Sequence, residues 1–147
     1  DWLWGGKIEE FHQTIQYGVR WSHDDTRVGD MPRFGLDELL EPAQIVDAAE
    51  YVLSLTNQAT DTAAVARGKE IYNEQCVACH GETGKGNAEL GAPNLTDQVW
   101  LYGGDKAAIM TSIRTGRGGK MPQWVGRLDP VMIKALAVYV HSLGGGR

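Results

Sequence analysis

Cys76-Val77-Ala78-Cys79-His80 is the stretch from which the rest of the chain is read. A C-x-x-C-H run is the attachment signature of c-type haem. Two intervening residues let one short turn present both sulfurs to an edge of the macrocycle, and the next side chain points at the metal. Three simpler readings compete. A structural zinc site needs four N or S ligands, and the chain holds only 2 cysteines. A thioredoxin-like motif expects a βαβ pattern around it, which the sequence lacks. A plain disulfide belongs to any oxidising compartment, and His80 directly after Cys79 favours haem over it.

Outward from that motif, the chain repeats itself. Trp2-Leu3-Trp4-Gly5-Gly6 matches Trp100-Leu101-Tyr102-Gly103-Gly104 at an offset of 98. The same offset carries Ile15 to Ile113 and Gly18 to Gly116. Met31-Pro32-Arg33-Phe34 matches Met121-Pro122-Gln123-Trp124 at an offset of 90. Leu40-Glu41-Pro42 matches Leu128-Asp129-Pro130 at 88, and that offset continues through Ile45/Ile133, Tyr51-Val52/Tyr139-Val140 and Ser54-Leu55/Ser142-Leu143. The drift places a longer loop in the first copy, around residues 21–30. Only the second copy is preceded by a C-x-x-C-H. Residues 1–58 are therefore expected to be the back half of a first domain whose haem motif is missing, and residues 59–147 a complete domain. The natural chain is expected to extend N-terminally and carry another such motif there.

The elements expected are all helical. Pro42 opens a helix at the position where a missing N–H costs nothing, and Ile45, Ala48, Val52 and Leu55 follow at helical spacing. Asp61 is the expected cap of a helix over residues 62–75, where Gly68 permits close approach of a neighbour. A short helix is expected over residues 106–114. Asp129 and Pro130 start a last one, with Ile133, Leu136, Val140 and Leu143 inward and the glycines at 144–146 ending it. No alternating stretch supports a strand. The net charge of -5 argues against a nucleic-acid partner. The longest apolar stretch, Val131 to Val140, is broken by Lys134 and too short to span a bilayer. Nothing at the start reads as a signal peptide, so the chain is expected to be mature or a soluble fragment.

An electron-transfer haem takes two axial ligands, and Met paired with His raises its potential. His80 is the expected proximal ligand. Met121, in a loop after a glycine run and before Pro122, is the candidate for the other side. Its counterpart Met31 is either an orphan of the missing haem or, in a crossed arrangement, the ligand of the iron held by His80. A ligating histidine donates its other ring N–H to a carbonyl, for which Pro93 is the candidate. Leu95, Tyr102, Ile109 and Trp124 are candidates for the apolar wall, and Arg114, Arg117 and Lys120 for the propionates. His23 is a weaker ligand candidate, and His12 and His141 are expected to be surface or satisfied side chains.

Several phrases narrow this further. Asn94-Leu95-Thr96-Asp97 with Trp100-Leu101-Tyr102-Gly103-Gly104, Met121-Pro122-Gln123-Trp124, Met31-Pro32-Arg33-Phe34-Gly35 and Tyr51-Val52-Leu53-Ser54-Leu55 together resemble the dihaem subunit III of cbb3-type cytochrome c oxidase, the CcoP/FixP family. The resemblance covers essentially the whole chain. It implies an all-α fold, a class I cytochrome c-like domain preceded by the back half of a tandem one. It implies haem c, one covalent site here and a second in the full-length protein. It implies a non-catalytic electron-transfer subunit, with soluble c-type cytochromes as donors and other oxidase subunits as partners. The location implied is the periplasmic side of the bacterial inner membrane, with the membrane anchor outside these residues. Two alternatives remain: a free soluble carrier, and a haem ligand sensor with an open iron position. Exposed half-domain surface would favour a dimer that swaps equivalent elements between chains.

Overall fold

The computed structural model describes residues 2–145. Six helices follow in order: α1 (Ile8–Tyr17), α2 (Pro42–Ser54), α3 (Thr62–Gln75), α4 (Val77–His80), α5 (Lys106–Thr115) and α6 (Pro130–Ser142). Among the described residues no strand forms, only isolated bridges. The starts follow local chemistry. Asp61 accepts from the backbone N–H of Ala63 and Ala64, both at 3.0 Å, satisfying two of the donors a helix leaves free. Asp105 does the same for Ala108 and Asp129 for Val131. Pro42 and Pro130 sit in the first turns of α2 and α6. α1 starts without a capping hydroxyl or carboxylate at Lys7; the Glu10 carboxylate accepts from the Lys7 N–H at 2.7 Å instead.

Two compact units result, and neither is a continuous stretch of chain. One comprises Met31–Asn87 and Pro93–Arg117 and contains α2 to α5. The other comprises the residues up to Asp30, Ala88–Ala92 and those from Gly118 onward, and contains α1 and α6. The division expected at residue 58 is one of sequence copies; each compact unit draws segments from both copies.

In the first unit α2 is buried almost all round. Ile45, Ala48, Ala49, Val52 and Leu53 join Phe34, Leu40, Ile71, Tyr72, Leu95, Ile109 and Ile113 in one cluster. α3 crosses α2 at Gly68, where a Cβ would lie 2.0 Å from the Asp47 carbonyl oxygen and 2.9 Å from the Tyr51 Cβ. Only glycine lets the two backbones approach so closely. In the second unit Phe11 and Ile15 of α1 pack on Ile133 and Ala137 of α6, with Met121, Trp124, Leu136 and Val140 alongside. Leu143, expected to face inward, is 64% exposed. It is the C-cap residue of α6, beyond the last residue that packs in the Phe11 cluster, Val140.

Each unit contains an antiparallel bridge of its own. Met31 exchanges backbone hydrogen bonds with Arg117, N to O at 2.9 and 3.1 Å. Val19 exchanges the same pair with Met121, at 2.9 and 3.0 Å. Arg117 is the repeat counterpart of Val19, and Met121 that of Met31. The same local structure thus occurs twice, each time joining the front part of one copy to the methionine segment of the other.

Candidate haem-attachment site

α3 ends at Cys76, whose N–H still donates to the Tyr72 carbonyl at 2.9 Å. α4 is a single turn: the N–H groups of Cys79 and His80 donate to the Cys76 carbonyl at 3.2 and 2.9 Å. Gly81 stops it with φ +75, a conformation suited to glycine. The Tyr72 hydroxyl donates to the Gly81 carbonyl at 2.7 Å, tying this stop to the buried face of α3. Burial pushes the Tyr72 phenol up to about 12, so it remains a donor. One turn therefore fixes Cys76, Cys79 and His80 together. Both cysteines are half-buried and free of a disulfide. Burial, and then Cys79 nearby, push the Cys76 thiol up to about 11, so it is no reactive thiolate of the thioredoxin kind.

His80 is buried, and its Nδ1 donates to the Pro93 carbonyl at 3.1 Å. That bond places the proton on Nδ1 and leaves Nε2 as a lone-pair donor, the tautomer an axial ligand needs. Burial lowers the His80 pKa, which keeps the ring neutral. The loop that aims the Pro93 carbonyl is itself braced. Asn94 Oδ1 accepts from the Thr96 N–H at 2.9 Å and hydroxyl at 2.7 Å, and its Nδ2 donates to Asp97 at 2.8 Å. Leu95 then inserts into the core, with its N–H donating to the Gly84 carbonyl at 2.7 Å.

The remaining expected residues divide between the units. Ile109 and Leu95 are buried in the unit that holds His80. Tyr102 is in that unit but 52% exposed, with the Arg117 guanidinium 3.9 Å from its ring centroid. Arg117 also donates to the Ser112 hydroxyl at 3.1 and 2.9 Å. Arg114 is exposed, and its backbone carbonyl accepts from the Gly35 and Leu36 N–H groups. Met31 lies in the His80 unit, half-buried against the cluster that Cys76 and Val77 also pack on. Met121 and Trp124 lie in the other unit, against Phe11, Ile15, Ile133 and Ala137. Lys120 is there too, exposed. His12 lines an open cleft on that unit beside Leu128 and Lys134. His23 stacks on Tyr17 at 4.4 Å, and His141 meets Phe11 edge-on at 5.7 Å.

One residue escaped the sequence reading. The Trp100 indole N–H is buried in the His80 unit with no protein partner. Its repeat counterpart, Trp2, donates the same N–H to the Gly144 carbonyl at 2.9 Å. A buried donor left without an acceptor is costly. In the unit bearing C-x-x-C-H it suits a haem propionate, and the repeated tryptophan was the signal that could have revealed it. Among the described residues no three His, Cys, Asp or Glu side chains converge as a zinc site would require. Paired thiols, a neutral histidine with Nε2 free and an orphaned indole donor therefore fit c-type haem.

An all-helical unit built around such a turn has the form of a c-type cytochrome domain. The profile of the family described as "Cytochrome C oxidase, cbb3-type, subunit III" matches residues 63–140. The chain is 57% identical over 151 residues to the cbb3-type cytochrome c oxidase subunit FixP of Bradyrhizobium sp. (strain ORS 278), covering all of this chain and 51% of that protein. It is 55% identical over 148 residues to the FixP subunit of Bradyrhizobium diazoefficiens, again with all of this chain and 51% of that protein covered. It is 50% identical over 147 residues to the CcoP subunit of Cereibacter sphaeroides, covering 99% of this chain and 51% of that protein. The chain belongs to the cbb3-type cytochrome c oxidase subunit III family, whose cytochrome c character implies covalently bound haem c. It spans about half the length of the curated relatives it matches. No helix among the described residues is long and apolar enough to cross a membrane.

Proposed function

We propose that this chain transfers electrons through one haem c, thioether-linked to Cys76 and Cys79 and ligated by His80 and Met31, as part of a cbb3-type terminal oxidase. When bound, the haem supplies a one-electron couple between ferrous and ferric iron. The chain's own residues hold and tune it. Pro93 orients His80, and Trp100 and Arg117 offer donors to the propionates. Leu95 and Ile109 keep the site dry, while Tyr102 forms its exposed rim. Donors are soluble c-type cytochromes on the periplasmic side, and the acceptor is the oxygen-reducing subunit.

The observation carrying this reading is the C-x-x-C-H turn with His80 Nδ1 held by Pro93, in a chain of this family. Met31 is favoured over Met121 because it bridges to Arg117 and packs with Cys76 and Val77 in one compact unit. In this reading Met121 serves a second haem, carried by a motif outside these residues.

The test combines mass and spectroscopy. Denatured chain from cells with haem-attachment machinery should carry the mass of one haem, with a low-spin reduced spectrum. Met31→Ala should open the iron to carbon monoxide and lower its reduction potential; Met121→Ala should do neither. The reverse pattern would return the axial role to Met121. Rapid carbon monoxide binding by the unsubstituted protein would instead favour the sensor reading.

A further inference from the structure

Helices α2 and α6 are repeat counterparts, and both could in principle dock on the haem-bearing front half, α3 to α5. Two positions distinguish them. Asp47 and Glu50 are buried on α2, at 8% and 0% exposure. Their counterparts on α6 are Ala135 and Val138. Asp47 receives a two-pronged hydrogen bond from Arg67 of α3, both arms 2.7 Å. Glu50 receives Lys106 Nζ at 2.6 Å, from the first turn of α5, with the Thr60 N–H and hydroxyl and the Asp61 N–H completing its shell. The counterpart of Lys106 on α1 is Ile8. α1 packs against α6, so apolar Ile8 and Val138 stand where the other unit has Lys106 and Glu50.

We infer that Asp47 and Glu50 specify which back-half helix joins the haem-bearing half, selecting α2 and rejecting α6. The two pairings are not equivalent. With α6 in place of α2, Arg67 and Lys106 would face alanine and valine, and the Thr60 and Asp61 N–H groups would lose their acceptor. With α2 against α1, Glu50 would take the place of Val138, which is 54% exposed, with Ile8 where Lys106 stands, and would lose Lys106 and the Thr60 and Asp61 donors. Either exchange forfeits both charge-assisted pairs, and the first also leaves the Thr60 and Asp61 N–H groups without their acceptor. Specificity of this kind comes from penalising the wrong partner as much as from rewarding the right one. By fixing α2, the two acids also fix the segment before it, and with it Met31. They are positioning residues: neither touches the iron.

The inference rests on the ligation proposed above, and the test separates the two. Haem-loaded chain is read by the charge-transfer band that ferric haem shows only with a methionine sulfur ligand. In the parent, Met31→Ala should abolish the band and Met121→Ala should leave it. In Asp47→Ala/Glu50→Val/Ala135→Asp/Val138→Glu, which moves the acids from α2 to α6, the dependence should pass to Met121. A milder variant, Asp47→Ala/Glu50→Val/Lys106→Ile, removes the preference without misplacing an acid. There Met31→Ala should abolish only part of the band. A band that still depends wholly on Met31 in the milder variant overturns the role of the acids and leaves the ligation standing. A parent band that depends on Met121 overturns both.

Discussion

Glu50 gives the sharpest prediction about stability. Its carboxylate is fully buried, yet it accepts from Lys106, Thr60 and Asp61. The Lys106 ammonium first, and then the backbone donors, hold its pKa down to about 2 from an ordinary 4.5, against the opposing effect of burial. At ~1.4 kcal/mol per unit, that difference corresponds to about 3 kcal/mol of folding stability. Because the folded value is the lower one, the stabilisation is fully present above pH 4.5 and is lost as pH falls from there toward 2. Glu50→Gln keeps the shape but turns one oxygen into an NH2 group that must face a donor. The variant should lose about 3 kcal/mol at pH 7, and its deficit should shrink steadily below pH 4.5. The assay is denaturant unfolding of both haem-loaded proteins at pH 7, 5, 4 and 3, followed by far-ultraviolet circular dichroism. The difference between the curves matters, because Asp47, held low by Arg67, contributes the same acid dependence to both. A deficit constant from pH 7 to 3 would refute the claim that the native carboxylate is ionised and held by these donors.

Other substitutions probe the surrounding architecture. Gly68→Ala sets an intrinsic helix gain of about 1 kcal/mol against overpacking of about 1–3 kcal/mol where its Cβ meets the rigid Asp47 carbonyl. A net loss in denaturant midpoint is expected, and a gain would contradict the close crossing. Tyr72→Phe removes the donor to Gly81 and should cost about 1 kcal/mol in the same assay. Asp61→Ala leaves two N–H groups of α3 uncapped and should cost about 1 kcal/mol, with Asp61→Asn recovering most of it. Trp100→Phe should lower the reduction potential, because removing a donor from a propionate leaves more negative charge near ferric iron. An unchanged potential would detach Trp100 from the haem.

The helices that open on Pro42, Asp61 and Pro130 were legible because their starts carry their own chemistry. α1 was not: it begins at Lys7 without a recognised cap, and only its repeat relationship to α5 marks it. The C-x-x-C-H turn could be read from its motif, and the Pro93 carbonyl was chosen as the acceptor that a ligating histidine needs. The joining of methionine segments to front parts could not, because periodicity treats α2 and α6 as equivalent amphipathic helices. What differs between them is two acids inside a buried stripe, which a hydrophobic pattern counts as noise. Trp100 escaped for a related reason, since a buried tryptophan reads as core until its N–H is found without a partner.

The interleaving of the two units has a consequence for synthesis. A ribosome releases this chain in order, at about 5–20 residues per second. Every segment of the C-x-x-C-H unit has emerged once Arg117 has, and α2 is already present when α3 appears. The unit that holds Cys76 to His80 can therefore assemble before α6 exists. The other unit waits longest, because α1, made early, packs against the last helix. Timing thus keeps α6 out of this unit while it assembles, and the ion pairs of Asp47 and Glu50 hold α2 in it at equilibrium.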